Sequence, residues 1–182
     1  MAEQTPQLIL ILGGARSGKR TCAERLAAQR GQRITYLATA TPGDEEMAER
    51  IARHQTERSP AWRTVECPLD PAAAIRAHAQ DTDCFLLDCA TLLVSNLLFA
   101  EESSGDETVR RALDALLAAY REAGTDLIIV SNEVGLGLVP EYPLGRLYRD
   151  ALGRFNQQVA AEADAVYFLV AGLPLEIKNS TE

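Results

Sequence analysis

The chain is poor in histidine, with two, and in tryptophan, with one. Its four cysteines, Cys22, Cys67, Cys84 and Cys89, show no CxxC spacing. A zinc site or a disulfide framework is therefore not expected, and the thiols read as reduced, packed as small apolar groups. No stretch reaches the ~18 uninterrupted apolar residues of a membrane span. Cys84 to Ala100 comes nearest and is broken by Asp88, Ser95 and Asn96. Met1 to Gln7 is short and polar and lacks the basic segment of a signal peptide, so a cytoplasmic location is expected. Internal repeats, low-complexity tracts and linkers are absent. Positive charge is in deficit: 18 Lys+Arg stand against 26 Asp+Glu, a formal net charge of -8. Nucleic acid and anionic membranes are thus not expected as main partners, and any anionic ligand must be held by a local cluster of donors. What remains is ordinary globular composition, 47% hydrophobic and 24% charged over 182 residues. One domain over 1–182 is expected, large enough to bury roughly 70% of its unfolded surface without a covalent staple.

Short apolar runs alternate with helix-period segments. Leu8 to Leu12 is unbroken and ends in glycines, the pattern of a strand buried on both faces. Further strands are expected at Ile34 to Ala38, Trp62 to Cys67 (at an edge), Cys84 to Leu87, Leu127 to Val130 and Ala165 to Val170. Helices are expected at Lys19 to Arg30, Glu45 to Arg58, Pro71 to Ala79 and Thr91 to Ala100. Asp70 is placed to cap the Pro71 helix, with proline at its first position. Val109, Ala112, Leu113, Leu116, Leu117 and Tyr120 line one face of a later helix, and Leu144, Leu147, Tyr148, Ala151, Leu152, Phe155 and Val159 line another. Such alternation predicts an α/β fold with a mainly parallel sheet and helices on both faces. Ligands of such sheets sit beyond the carboxyl ends of the strands, so the residues after each run are the candidates for chemistry.

After the first run comes Gly13-Gly14-Ala15-Arg16-Ser17-Gly18-Lys19, a GxxxxGK loop between strand and helix. Glycines let the backbone curl so that several N–H groups face phosphate oxygens, and the helix adds its positive end. Lys19 supplies a point charge for the β and γ phosphates. The next position ordinarily carries Ser or Thr, whose hydroxyl binds Mg²⁺; here it is Arg20. Asp88, closing the run Cys84 to Leu87, stands where a P-loop protein places its metal-binding acid; a helix cap or loop acid is the other reading.

In the segment Glu45 to Arg58, Arg50, His54 and Arg58 share a helix face at i, i+4, i+8. An oligophosphate lying there would meet an imidazole able to attack phosphorus; a solvated charged face is the alternative. His78 reads as a surface histidine near a helix end. Glu133, beside Gly135 and Gly137, reads equally as a site carboxylate or a loop acid.

Taken in order, these segments resemble the bifunctional adenosylcobinamide kinase / adenosylcobinamide-phosphate guanylyltransferase family. The resemblance rests on the loop at 13–19, Tyr36 to Ala40, Glu46-Met47-Ala48 with Arg50, Ile51 and His54, and Trp62 to Glu66. It continues through Asp88 to Thr91, Ser95 to Leu98, Ser131 to Gly137, Val139 to Glu141, Arg149-Asp150 and Ala171 to Pro174, and covers roughly positions 8 to 178. It implies a three-layer P-loop fold like that of RecA, a homotrimer, GTP and ATP as nucleotides, and Mg²⁺ held by Asp88. It implies phosphorylation of adenosylcobinamide, then transfer of GMP from GTP through a guanylylated histidine matching His54. Nucleotide contacts carry over to Gly13, Gly14, Ala15, Arg16, Ser17, Gly18, Lys19 and Arg20, to Thr39, Ala40 and Thr41, to Gln55, Thr56, Glu57 and Arg58, to Glu66, and to Asp88. A simple small-molecule P-loop kinase, or a nucleotide-binding regulator weakened by Arg20, are the alternative readings.

Overall fold

A computed structural model describes residues 5–41, 59–100 and 105–180. Strand β1 (Leu8–Gly13) is buried at every position, as its unbroken apolar run requires. It lies inside a seven-stranded sheet with β2 (Ile34–Ala38), β3 (Arg63–Glu66), β4 (Cys84–Asp88), β5 (Asp126–Val130), β6 (Ala165–Val170) and β7 (Leu173–Asn179). The order is β3-β2-β4-β5-β1-β6-β7. Every pairing is parallel except β6 with β7. Leu10 lies opposite Ile129 of β5 and Val166 of β6, so the carboxyl ends of the central strands come out together.

The pleat divides β1 between two cores. Ile9 and Ile11 face α1 (Lys19–Arg30), where Cys22, Ala23 and Ala27 are buried. Leu8, Leu10 and Leu12 face the opposite layer. That layer contains α2 (Pro71–His78), α3 (Ala90–Ala100), α4 (Gly105–Ala123) and α5 (Pro143–Glu162). The expected three layers are present. Asp70 caps α2 as expected, accepting from Ala73 N at 2.9 Å. β3 takes the expected edge position. The α4 stripe Val109, Leu113, Leu116 and Leu117 is buried, with Ala112 and Tyr120 packed on its flank.

Two expectations need correction. The sheet has a seventh strand, β7, which pairs antiparallel with β6 through the two-residue turn Ala171-Gly172. Both turn residues have positive φ, 51° and 83°, the geometry that joins twisted strands tightly. The α5 stripe is fully buried only from Ala151 onward; Tyr148 is half-buried against the core, its hydroxyl donating to Thr91 O of α3 at 3.3 Å, whereas Leu144 and Leu147 remain 43% and 42% exposed. Within α5, Gly153 costs the helix about 1 kcal/mol relative to alanine, yet a Cβ there would meet no atom within 4 Å among the described residues. The expected helix Glu45 to Arg58 lies outside the described residues.

Candidate functional site

β1 runs out at Gly13, the chain curls through 14–18, and α1 begins at Lys19. Two glycines are required by space as well as by φ. At Gly13 (φ +154°) a Cβ would lie 2.7 Å from both Leu169 O and Ser17 Oγ. At Gly18 (φ +91°) it would lie 3.1 Å from Gly172 Cα. Arg16 also adopts a left-handed backbone, φ 55°. Gly18 is the N-cap of α1 and offers no side-chain hydrogen bond, so the amides of the first turn are left for an anion. Gly172 N donates to Ser17 O at 2.9 Å, so the β6–β7 turn props the loop from behind.

Lys19 is 8% exposed and turns its ammonium back into the curl, donating to Gly14 O at 2.5 Å and reaching Ser17 Oγ at 3.4 Å. Burial pushes its pKa below the ordinary lysine value, partly offset by neighbouring Cys89 and Asp88. Phosphate oxygens entering the loop would replace weak neutral acceptors with charged ones.

Asp88 closes β4 at the carboxyl edge, where the sequence places it. The Tyr36 hydroxyl donates to its Oδ2, and Arg20 Nε lies 4.0 Å from the same oxygen. Arg20 also binds Glu24 Oε1 at 2.8 Å. Thr39 is fully buried and its hydroxyl is engaged by Cys89, donating to the carbonyl and accepting from the amide, each at 2.8 Å. It therefore orders the start of α3, and its backbone is engaged as well: its N–H donates to Asp88 O at 3.4 Å and its carbonyl accepts from Asn96 Nδ2 at 2.8 Å. Ala40 is half-buried, while Thr41 and Glu66 are exposed. Among the described residues no group of three His, Cys, Asp or Glu side chains converges as a metal site. Asp88 has the Arg20 cation beside it, and Arg20 stands where the hydroxyl that would complete a directly ligated Mg²⁺ is ordinarily found. These residues do not fit an ion held by two side chains. His54, Gln55, Thr56, Glu57 and Arg58 lie outside the described residues.

The loop after β5 borders the same edge. Glu133 N donates to Gly13 O at 3.1 Å, and Glu133 Oε1 accepts from Gly135 N at 2.7 Å. A cavity of about 570 Å³ opens from there toward α5, lined in part by Leu12, Glu133, Arg149, Asp150, Gly153 and Gln157. Sequence reasoning singled out Glu133 but missed the α5 side of this wall, and missed Tyr36 as the partner of Asp88. The pair Arg149-Asp150 was legible as a motif, but nothing in its spacing reveals that α5 turns it toward the end of β1. His78 ends α2, its Nδ1 3.2 Å from Arg63 Nη1, away from the loop strands.

Comparison with known proteins gives this edge a family. The family described as cobinamide kinase / cobinamide phosphate guanyltransferase matches residues 9–177. The bifunctional adenosylcobalamin biosynthesis protein CobP of Pseudomonas aeruginosa is 47% identical over 170 residues, 93% of this chain and 96% of that protein. The bifunctional adenosylcobalamin biosynthesis proteins CobU of Salmonella typhimurium and Escherichia coli are 41% and 39% identical, each across 94% of this chain and 99% of theirs. In structure the chain is similar to the RadB recombinase, with a TM-score of 0.52 at 15% identity over 90% of this chain and 74% of that one. That likeness concerns the fold and supports the RecA-like reading. With the phosphate loop in its strand–loop–helix setting and the match running from β1 to β7, the chain belongs to the cobinamide kinase / cobinamide phosphate guanyltransferase family.

Proposed function

We propose that this protein phosphorylates the hydroxyl of the aminopropanol arm of adenosylcobinamide and then converts the phosphate to adenosylcobinamide-GDP. The observation that carries the reading is the phosphate loop of 13–19, with buried Lys19 at its centre, inside a family match spanning 9–177. ATP or GTP serves the first step and GTP the second. In the second step the imidazole of His54 attacks the α-phosphorus of GTP and pyrophosphate leaves. A phosphate oxygen of the acceptor monoester then attacks the phosphorus of the histidine-bound GMP; the new P–O bond forms, the P–N bond breaks, and the histidine is freed. Residues 13–20 hold the phosphates through backbone amides and the Lys19 charge. Thr39 to Thr41, Gln55 to Arg58, Glu66 and Asp88 complete the nucleotide site. Mg²⁺ carried in with the triphosphate would meet Asp88 through water. The enzyme works as a cytoplasmic homotrimer, each chain a single domain. No helix among the described residues is long and apolar enough to cross a membrane.

A phosphoramidate is acid-labile and base-stable, which gives a direct test. Incubation with α-labelled GTP and Mg²⁺ is expected to leave label of that stability on the wild-type protein and none on His54→Asn. Equal labelling of both would remove His54 from the role. The Arg20–Asp88 approach favours one second reading, a nucleotide-binding regulator with weakened transfer. It predicts GTP binding with no product from any corrinoid.

A further inference from the structure

The cavity between the loop after β5 and α5 has no role in nucleotide binding as described above. It borders the phosphate loop, because the Glu133 amide is bonded to Gly13 O at 3.1 Å. Three independent observations mark it as built for something outside the chain. First, of the carboxylates at this edge, Asp88 is engaged by Tyr36 and approached by Arg20, whereas Glu133 is anchored through one oxygen only, Oε1 to Gly135 N at 2.7 Å. Its Oε2 has no partner among the described residues. Second, Gly153 stands in the interior of α5 on the cavity wall, where a side chain would favour the helix and a Cβ would meet nothing within 4 Å among the described residues. Its absence keeps the volume open. Third, Asn156 on the same wall is 5% exposed; its Nδ2 donates to Asn132 O at 3.0 Å, and its Oδ1 has no partner among the described residues. Buried acceptors are seldom left unmet, and a donor from a ligand on this side would answer it.

We infer that this cavity receives the acceptor, with Glu133 as the group that takes the proton from its hydroxyl; the inference rests on the transferase reading above. The acceptor is an alcohol arm on an amide-rich ring. Gln157 and the side chains of Arg149 and Asp150 offer the donors and acceptors that carboxamides pair with. In the transfer the hydroxyl oxygen forms a bond to the γ-phosphorus, its proton passes to Glu133 Oε2, and the bond to the β-phosphate oxygen breaks, releasing the nucleoside diphosphate. Held by Gly135 N, the carboxylate needs little reorganisation to act.

The test uses full-length protein with cobinamide as acceptor and the triphosphate as donor, alongside GMP labelling without acceptor. Gly153→Leu is expected to raise KM for cobinamide by about tenfold or more while GMP labelling persists. Glu133→Gln is expected to lower kcat of phosphorylation by about 100-fold with a smaller change in KM. Gly153→Ala serves as the folding control and is expected to melt at or above the wild-type temperature. If wild type is labelled and the folded Leu and Gln variants both phosphorylate cobinamide as wild type does, the cavity and Glu133 are not the acceptor site. Wild type that neither labels nor phosphorylates cobinamide overturns the functional reading itself, and this inference with it.

Discussion

Arg20 stands one residue past Lys19, where a hydroxyl would ordinarily meet a metal, and its Nε lies 4.0 Å from Asp88 Oδ2. A fixed cation beside Asp88 opposes a second cation there. Arg20→Ser is therefore expected to tighten Mn²⁺ binding to the protein–GDP complex by about tenfold, read by electron paramagnetic resonance titration. An unchanged affinity would show that Arg20 does not set the demand for metal. The cysteines make a second expectation at this scale. Burial pushes Cys67 up to about 12 and Cys89 up to about 11, and raises Cys84 further. Thiolates are then scarce near neutral pH. A thiol reagent at pH 8 is expected to modify these three slowly in the native protein and all four thiols promptly in guanidinium. Prompt native modification of Cys67 or Cys84 would contradict their burial.

At the scale of elements, legibility followed the range of the interaction. α1, β2 and β6 lie at their expected limits, and β1 runs one residue past its own to Gly13, because each is specified by its own residues: an apolar run, a GK turn, a stripe. β7 escaped because its evidence is split. Leu173, Leu175 and Ile177 alternate as a strand should, but Pro174 interrupts them, and the apolar face is exposed. Only pairing with β6 makes the segment a strand, and proline is tolerated there because the edge carries a free side. The α5 stripe was over-read for the converse reason, since periodicity reports which face is apolar and not how far a neighbour extends. The phosphate loop was fully legible, whereas the Tyr36–Asp88 contact needed β2 and β4 to be adjacent, a fact of topology alone. The connection from α1 to β2 illustrates a bond of the same long-range kind. Asp83 accepts from Gln32 N at 3.0 Å, from Arg33 N at 2.9 Å and from the Arg33 guanidinium at 2.6 Å. The hydrogen bond from Arg33 holds its carboxyl below the ordinary 3.8. A depressed pKa contributes stability that is present above the unfolded value and is lost as pH falls through the folded one. Asp83→Asn is expected to lower the urea midpoint at pH 7, with the gap from wild type closing as pH drops below about 4. A gap constant across that range would mean the charge is not what the site uses.

Over the whole molecule the described surface is uneven. Leu136, Leu138, Val139 and Tyr142 are 78%, 96%, 62% and 65% exposed, and Leu144 and Leu147 continue the patch onto α5. Surface of this kind is seldom left to water. Sedimentation equilibrium is expected to return a trimeric mass built on the 19.8 kDa chain, and Leu138→Asp with Leu136→Asp to lower it. A monomeric mass for wild type at every concentration would refute the assembly. The hydrogen bond from Gly172 to Ser17 has a different consequence, one of timing. During synthesis the GxxxxGK segment leaves the ribosome about 150 residues before its brace, most of a domain's length. Nucleotide competence thus waits for the β6–β7 hairpin, and a chain released before residue 172 would carry the complete motif without the grip.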